Sequence, residues 1–588
     1  MSTFPPIADY AFLSDCEHSC LVAPDGSVEW LCLPRPDSPS IFGALLDRSA
    51  GLFGFGPAGV EVPSQRRYIP GTMVLETTWH TPTGWLVVTD ALVVGPWRGG
   101  PRSDRYQRVP SDHVAQGVLV RTATCIEGRA DVLLNCLPLS DYGATSATWS
   151  YQGQHAFAAL AWHADPPSSH EEALAQLAAT TTFWREWLSR AELPDHQWRP
   201  FLERSALTLK GLSYEPTGAI LAAATTSLPE TPGGSRNWDY RYTWVRDSAF
   251  MLRALLRLGF EWEAYEYFAF LMETMLGTGV QIMYGIGGER DLAERTLDHL
   301  SGYRGARPVR VGNGAFDQRQ HDVWGMILDS VYTHARHEGT QMGPAGWNGI
   351  VQLVDAAVER WQEPDRGIWE IRGEPQHFTA SKVMCWVAVD RGAKLAAARG
   401  DAECAARWRK AAEEIHAEVC ARGVDDRGVF VQSYGSTALD ASALLIPLMG
   451  FLPPGDERVR ATVLAIADEL SQDGLVLRYR VEATDDGLEG DEGTFTICSF
   501  WLVSALALIG EQRRARSLCE KLLSLASPLH LYAEELDAVS GQHLGNFPQA
   551  FTHLALIDAV TQLIELEAAR AAHEPGGEGG HASQTSPS

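Results

Sequence analysis

The stretch DRGIWEIRGEP places a single carboxylate, Glu370, between Trp369 and Ile371 in a segment otherwise rich in turn-forming residues. Apolar neighbours strip water from a carboxyl group and so favour its protonated form. A carboxyl group that keeps its proton near neutral pH can give that proton to a leaving oxygen. Taken alone, however, a loop glutamate is more often a solvated surface group. Glu370 becomes a candidate general acid only together with a second carboxylate.

A second stretch, HLYAEELDAVSG, repeats the arrangement with Tyr532 ahead of Glu534 and Glu535. Cleavage of a glycosidic bond requires such a pair, one carboxyl group as acid and one carboxylate to activate water or to attack carbon. The Tyr532 hydroxyl is expected to help hold the ionised member of the pair. We therefore predict that Glu370 acts together with Glu534.

A third stretch, NWDYRYTWVRDS, brings Arg246 and Asp247 directly after Trp244, at the start of a predicted helix. In one interpretation, Asp247 caps the helix and Arg246 pairs with a surface acid. In the other, a guanidinium fork and a carboxylate hold sugar hydroxyls. Tryptophan has a flat apolar face and an N–H donor, which suit a sugar cleft, so Trp244 and Trp369 join the predicted substrate-binding set.

The elements that must position these side chains change character along the chain. Residues 1–190 contain β-branched runs broken by turn residues, with hairpins predicted around Gly84, Gly128 and Gly153. They predict an antiparallel β-sandwich followed by a linker. The tail, 573–588, is rich in Gly and Ser with no apolar face, and it is predicted to be disordered.

Residues 191–572 show apolar residues at helical spacing. The predicted helices cover 200–214, 247–259, 261–276, 322–336, 347–361, 381–399, 402–421, 440–449, 457–471, 495–510, 512–526 and 547–570. Short and long connections alternate, which predicts six helical hairpins in a ring, an (α/α)6 barrel with the long loops at one rim. Glu370 and Glu534 both fall in long loops, so they are expected at the same rim.

Composition excludes several classes of function. The 588 residues carry a net charge of −26, which disfavours nucleic acid and anionic membrane surfaces as partners. No leader-like N-terminus and no long apolar run is present, so a cytoplasmic protein is expected. The ten cysteines lack both disulfide-scaffold and metal-ligand spacing, so reduced thiols and no bound metal are expected. The sequence leaves the oligomeric state open, a homo-oligomer included.

The motifs together resemble the bacterial members of glycoside hydrolase family 15, the glucoamylase and trehalase-like group. The resemblance begins in ADYAFLSDCEHSCLVAPDGSVEWL, similar to their trehalase-like N-terminal domain, and continues through NWDYRYTWVRDS, GIWEIRGEPQHF and GNFPQAFTHLALIDA. It implies Glu370 as general acid, Glu534 as general base, and Arg246 with Asp247 as ligands of the terminal glucose. Arg478, in LRYR, resembles a further sugar-binding arginine. The family also implies a small carbohydrate substrate, inversion at the anomeric carbon and no cofactor.

The sequence departs from fungal glucoamylases at two positions, where Ile371 follows the acid and Glu535 follows the base. The base assignment therefore stays open between Glu534 and Glu535. The linkage also stays open between trehalose, maltose-type and isomaltose-type sugars. A sugar phosphorylase and a non-catalytic sugar-binding protein are the alternative functions.

The loop between 277 and 321 contains five arginines, which form either an anion site or surface ion pairs, and surface ion pairs are favoured. They are Arg290, Arg295, Arg304, Arg307 and Arg310.

Overall fold

The N-terminal part of the computed structural model consists of two antiparallel sheets. The structure describes residues 4–96, 114–143, 157–162, 164–275, 279–338, 343–488, 490 and 492–573. The strands are β1 Ala11–Ser14, β2 Ser19–Val22, β3 Ser27–Cys32, β4 Ser40–Phe42, β5 Leu52–Pro57, β6 Gln65–Tyr68, β7 Leu75–Thr81, β8 Gly84–Val94, β9 Ala115–Gly128, β10 Val132–Leu137 and β11 Phe157–Ala161. One sheet has the order β1-β2-β3-β5-β10 with β4 beside β3, and the other has the order β11-β9-β8-β7-β6.

Two of the predicted hairpins have different outcomes. The hairpin at Gly84 is confirmed, because β7 and β8 pair in register down to Thr81 and Gly84. The hairpin around Gly128 is wrong, since β9 pairs with β8 whereas β10 pairs with β5 of the other sheet. Gly128 has a φ of +72°, and a Cβ there would lie 2.1 Å from the Thr83 carbonyl oxygen. The glycine thus packs against the neighbouring turn while the chain crosses between sheets. The region around Gly153 lies outside the described residues.

A helix that the sequence analysis missed, α1 His170–Leu188, follows the sandwich. Its N-cap is Ser169, whose side chain accepts a hydrogen bond from the Glu172 backbone N–H at 3.1 Å. Near its end, Trp187 stacks on Phe260 with ring centroids 4.2 Å apart and donates to Glu263 at 2.6 Å. The helix therefore packs on the helical part of the chain. The domain boundaries predicted after residues 190 and 572 stay predictions.

Twelve further helices follow within the described residues, close to the predicted ranges. They are α2 Arg199–Gly211, α3 Ser248–Arg257, α4 Glu261–Met275, α5 Asp322–Glu338, α6 Pro344–Arg360, α7 Thr379–Arg399, α8 Ala402–Arg422, α9 Leu445–Leu448 after the 3-10 turn Ala441–Leu444, α10 Glu457–Glu469, α11 Thr496–Leu508, α12 Gln512–Ser524 and α13 Ala550–His573. In the part of the chain that is described, no helix is long and apolar enough to cross a membrane.

The helices close into the predicted (α/α)6 barrel. The inner helices α3, α5, α7, α9, α11 and α13 contact one another in succession, and α13 returns to α3. Inner helices need apolar residues on every side, and in α11 every residue from Thr496 to Ala507 is buried. The long loops all lead into the N-terminal ends of the inner helices. The loops that carry Arg246, Glu370, Arg478 and Glu534 therefore meet at one rim.

A buried guanidinium is one of the contacts between the sandwich and this rim. Arg241 forms an ion pair with Asp239 at 2.7 Å, and it also donates to the Ser38 carbonyl at 2.8 Å and to the Tyr142 hydroxyl at 2.9 Å. Buried charges are tolerated only when they are paired and hydrogen-bonded. The loop that precedes α3 is thus held from the sandwich side.

Candidate active site

A cleft opens at the rim where the long loops meet. Four predicted site residues line it: Trp244, Trp369, Glu370 and Arg478. The other lining residues include Arg236, Trp238, Tyr240, Asn313, Arg372, Tyr479 and Glu492. The remaining predicted residues lie behind this wall: Arg246 contacts Glu370, Glu534 contacts Tyr240, and Asp247 contacts Arg246.

Glu370 stands on a turn in the left-handed region, with a φ of +53°. Its Oε1 accepts hydrogen bonds from Arg246 at 2.9 Å and from the Trp244 indole at 3.1 Å. Its Oε2 accepts none from the described residues, and the side chain is 18% exposed. A non-glycine residue with positive φ is uncommon and concentrates at functional sites. One carboxyl oxygen is thus anchored while the other remains available to a ligand.

Trp369 is held by a contact away from the Glu370 carboxylate. The indole N–H of this tryptophan donates to Asp440 at 2.9 Å, so the ring is held by the loop before α9. The groups that donate to the Glu370 carboxylate are Arg246 and Trp244. The expectation that Trp369 keeps Glu370 protonated by desolvation stays a prediction. Trp369 contributes to the cleft wall.

Glu534 is fully buried, and each of its carboxylate oxygens has a donor. The Tyr240 hydroxyl donates to Oε1 at 2.5 Å, and the Asn546 backbone N–H donates to Oε2 at 3.3 Å. Burial raises the pKa of Glu534, while the hydrogen bond from Tyr240 opposes that effect. Gly545 packs closely against it, because a Cβ there would lie 2.5 Å from Oε2. Glu534 therefore lies behind Tyr240, which lines the cleft and donates to the carboxylate.

The expected contact of Tyr532 with this carboxylate is wrong. The Tyr532 hydroxyl donates to the Leu522 carbonyl at 3.0 Å, inside the helical core. The tyrosine that holds Glu534 comes from the loop before α3, and sequence analysis missed it. The aromatic run NWDYRYTW contains Tyr240 and was the available signal.

Glu535 has a different environment from its neighbour. It starts the two-residue strand Glu535–Leu536, where its Oε2 accepts from the Gly493 backbone N–H at 2.8 Å. Its Oε1 lies 3.8 Å from Arg478. Burial, followed by the charge of Glu230, raises the pKa of Glu535 well above its usual range. These contacts connect Glu535 with Arg478, whereas those of Glu534 connect it with the Tyr240 side of the cleft.

Asp247 occupies the N-cap position of α3, but its side chain forms no capping hydrogen bond. It accepts instead from Arg246 Nε at 3.1 Å. Burial raises the pKa of Asp247 to about 6, and the Arg246 charge opposes this shift. Arg246 also donates to the Ile368 carbonyl at 3.1 Å and so ties this pair to the Glu370 loop. The capping interpretation of Asp247 finds no support in these contacts.

Arg478 is one of two cations in a buried acidic cluster; the other, Arg236, pairs with Glu492. The Arg478 guanidinium lies 2.9 Å from Glu492 and 3.3 Å from Glu230, in addition to Glu535. Burial raises the pKa of Glu230 to about 8, since this carboxyl group is inaccessible and close to other acids. Sequence analysis missed Glu230 and Glu492, because single loop glutamates carry no signal of their partners.

A metal site and an anion site formed by the loop arginines are the other candidates. Within the described residues, no group of three or more His, Cys, Asp or Glu side chains could hold a metal ion. Among the five loop arginines, Arg310 forms an ion pair with Glu294 at 3.2 Å, and Arg295 lies in a short strand that pairs with residues 310–311. The guanidiniums of Arg290, Arg304 and Arg307 donate to the backbone carbonyls of residues 279, 4 and 301. These contacts tie the arginines to separate parts of the chain.

Comparison with known proteins identifies the family. Residues 198–561 match the family described as Glycosyl hydrolases family 15. Residues 2–96 match the family described as Trehalase-like, N-terminal. The chain belongs to glycosyl hydrolase family 15. It is therefore a glycoside hydrolase, and the non-catalytic alternative is set aside.

Several relatives match over nearly their whole length. A protein named Trehalase from Mycolicibacterium smegmatis is 56% identical, with 96% of this chain and 92% of the relative covered. A Trehalase from Thermoplasma volcanium is 34% identical, with 96% and 94% covered. Among solved structures, a bacterial glucoamylase complexed with acarbose covers 96% of this chain and 95% of its own, with a TM-score of 0.66 and 10% identity. The last similarity supports the fold alone.

Proposed function

We propose that this glycoside hydrolase cleaves α,α-trehalose with inversion and releases one β-glucose and one α-glucose. The observation that carries the proposal is a chain of contacts between two carboxylates. Trp244 donates to Glu370, its ring lies 5.1 Å from that of Tyr240, and Tyr240 donates to Glu534. The 56% identity with a named trehalase supports trehalose as the first substrate to test.

In the proposed reaction, the terminal glucose binds with its hydroxyls on Arg246 and Asp247. Glu370 protonates the glycosidic oxygen through Oε2, the oxygen that accepts no hydrogen bond from the described residues. Glu534 takes a proton from a water molecule, and that water attacks the anomeric carbon from the opposite face. The bond from carbon to the leaving oxygen breaks as the new bond forms, which inverts the configuration.

Inversion requires room for the water between the sugar and the base. The carboxyl groups of Glu370 and Glu534 are therefore expected to stand about 6.5 to 9.5 Å apart, against roughly 5 Å in a retaining pair. Glu535 is the second candidate for the base, but its hydrogen bond with Gly493 and its approach to Arg478 favour Glu534 for this role.

The proposal is tested with trehalose, maltose and isomaltose, each incubated with and without phosphate. Free glucose is expected from trehalose at the highest kcat/KM, with no glucose 1-phosphate in either condition. Proton NMR during early turnover of trehalose is expected to show both anomers in equal amounts, one formed by attack and one released. With maltose, the glucose formed by attack is β, while the reducing-end glucose leaves with the anomeric mixture that maltose already has, so β-glucose must at first exceed its equilibrium share. Glucose 1-phosphate would instead support the phosphorylase alternative, and an early excess of α-glucose would disprove inversion.

A further inference from the structure

Four side chains from three loops form one assembly, of which Trp238 and Arg372 line the cleft. We call Trp238, Glu294, Arg310 and Arg372 the Trp238 clamp. The guanidinium carbons of Arg310 and Arg372 lie 4.5 Å and 5.2 Å from the centre of the Trp238 ring. Cations attract the faces of aromatic rings, most strongly when water is partly excluded. The tryptophan therefore fixes the position of two charged groups, of which Arg372 lines the cleft.

Glu294 links the two arginines. Its Oε1 lies 3.2 Å from Arg310, and its Oε2 lies 3.3 Å from Arg372. The Gly314 backbone N–H donates to the same Oε2 at 2.9 Å, and a Cβ at Gly314 would stand 2.9 Å from the Arg372 guanidinium. A carboxylate shared between two guanidiniums offsets their mutual repulsion and fixes the direction of their free N–H groups.

The clamp stands beside the proposed acid. Arg372 follows Glu370 by two residues, and the intervening Ile371 is buried. Trp238 and Arg372 both line the cleft together with Glu370. Because the acid protonates the leaving oxygen, the sugar that departs must lie next to Glu370. The clamp is therefore on the side of the leaving sugar.

Two donors on the same wall have no partner among the described residues. The Trp238 indole N–H donates to no acceptor among the described residues. Asn313 uses its side-chain oxygen to accept from the Ala315 backbone N–H at 3.0 Å, and its amide NH2 donates to no described group. Arg372 is 30% exposed. Sugar hydroxyls and ring oxygens accept hydrogen bonds, so this wall fits a neutral sugar ring.

We infer that the Trp238 clamp binds the leaving glucose of the disaccharide and sets the preference for its linkage. This inference rests on the proposed function, since it needs a second sugar unit beyond the cleaved bond. The leaving glucose accepts hydrogen bonds from Arg372, Asn313 and the Trp238 indole. Its position relative to Glu370 decides whether the glycosidic oxygen meets the acid.

The test compares trehalose with α-glucosyl fluoride, a substrate that has the same glucose but a single-atom leaving group. Trp238→Phe removes the indole N–H, Arg372→Lys removes the planar fork, and Glu294→Gln weakens the link between the arginines. Each variant is expected to lose about tenfold to a hundredfold in kcat/KM for trehalose but less than about threefold for the fluoride. Arg319→Lys, at an arginine that is 77% exposed, is the control.

Equal losses on both substrates would overturn the inference and give the clamp a structural role in the Glu370 loop. Unchanged kinetics on both would overturn it as well. Thermal midpoints show which variants fold. If Trp238→Phe and Arg372→Lys do not fold, Glu294→Gln still tests the clamp, because it changes none of the residues that line the cleft. If wild-type enzyme cleaves another disaccharide in place of trehalose, the proposed function fails, yet the same comparison against that disaccharide still tests the clamp.

Discussion

The two proposed catalytic carboxylates lie in contrasting regions. Glu370 is on a left-handed turn of the cleft wall, where Oε1 is anchored by Arg246 and Oε2 has no donor in the described part of the chain. Glu534 is buried beside a small sheet with a donor on each oxygen. An acid must reach the leaving oxygen, so exposure of one oxygen serves that role. A base must stay ionised and aligned, so full hydrogen bonding serves that role.

The two regions also differ in their charged surroundings. Arg246 is the charged group that contacts Glu370, at 2.9 Å. Glu534 lies near further acids, which Arg478 and Arg236 contact together. The acid region is thus balanced by one local pair, whereas the base region depends on a network. Substitution of a single charged residue should therefore change activity differently in the two regions.

The largest effect is expected from the carboxylates themselves. Glu370→Gln should reduce trehalose cleavage by about a thousandfold but preserve much of the activity on α-glucosyl fluoride, whose leaving group needs little protonation. Glu534→Gln should lose both activities, because no base activates the water. Steady-state kinetics on the two substrates measure this contrast. Full activity of Glu534→Gln together with an inactive Glu535→Gln would transfer the base role to Glu535.

The second-largest effect is expected from Asp247→Asn, which should lower kcat by about a hundredfold. The Asp247 side chain makes no capping hydrogen bond, so its removal should leave the thermal midpoint nearly unchanged. Calorimetry and kinetics on the same preparation check both expectations. A large drop in the midpoint with intact kinetics would restore the capping interpretation.

Tyr240→Phe is expected to cost about tenfold to a hundredfold in kcat, since it removes the hydrogen bond of 2.5 Å to Glu534. The loss should appear on trehalose and on α-glucosyl fluoride alike, because the base serves both reactions. A loss restricted to trehalose would place Tyr240 on the leaving-sugar side instead.

These contrasts show where the sequence was informative. Apolar spacing predicted the twelve barrel helices, and the alternation of short and long loops predicted the common rim of Glu370 and Glu534. The sequence did not reveal that Tyr240 holds Glu534, because the two residues are 294 positions apart. The crossing of the chain between sheets at Gly128 was equally hidden, since a turn glycine predicts a bend and not the sheet that follows it. Long-range partners follow from the fold and not from local pattern.

A smaller effect is expected at Glu230, in the acidic network. Burial raises the pKa of this carboxyl group from 4.5 to about 8, so the folded protein binds the proton more tightly than the unfolded chain does. Its contribution to stability is therefore present at low pH and is lost as the pH rises towards 8. Glu230→Gln removes this dependence. Its midpoint relative to wild type should be higher at pH 8 than at pH 5 by at least about 2 °C.

The smallest kinetic effect is expected from Tyr532→Phe, which is the matched partner of Tyr240→Phe. Both tyrosines are buried near Glu534, but the Tyr532 hydroxyl donates to the Leu522 carbonyl and not to the carboxylate. Removing it leaves that carbonyl without this donor, at a cost of about 1 kcal/mol in the free energy of unfolding. The kcat on trehalose should stay within about twofold of wild type, because the contacts of Glu534 are unchanged. A loss as large as that of Tyr240→Phe would mean that the base is held from the core side, and the contrast between the two tyrosines would fail.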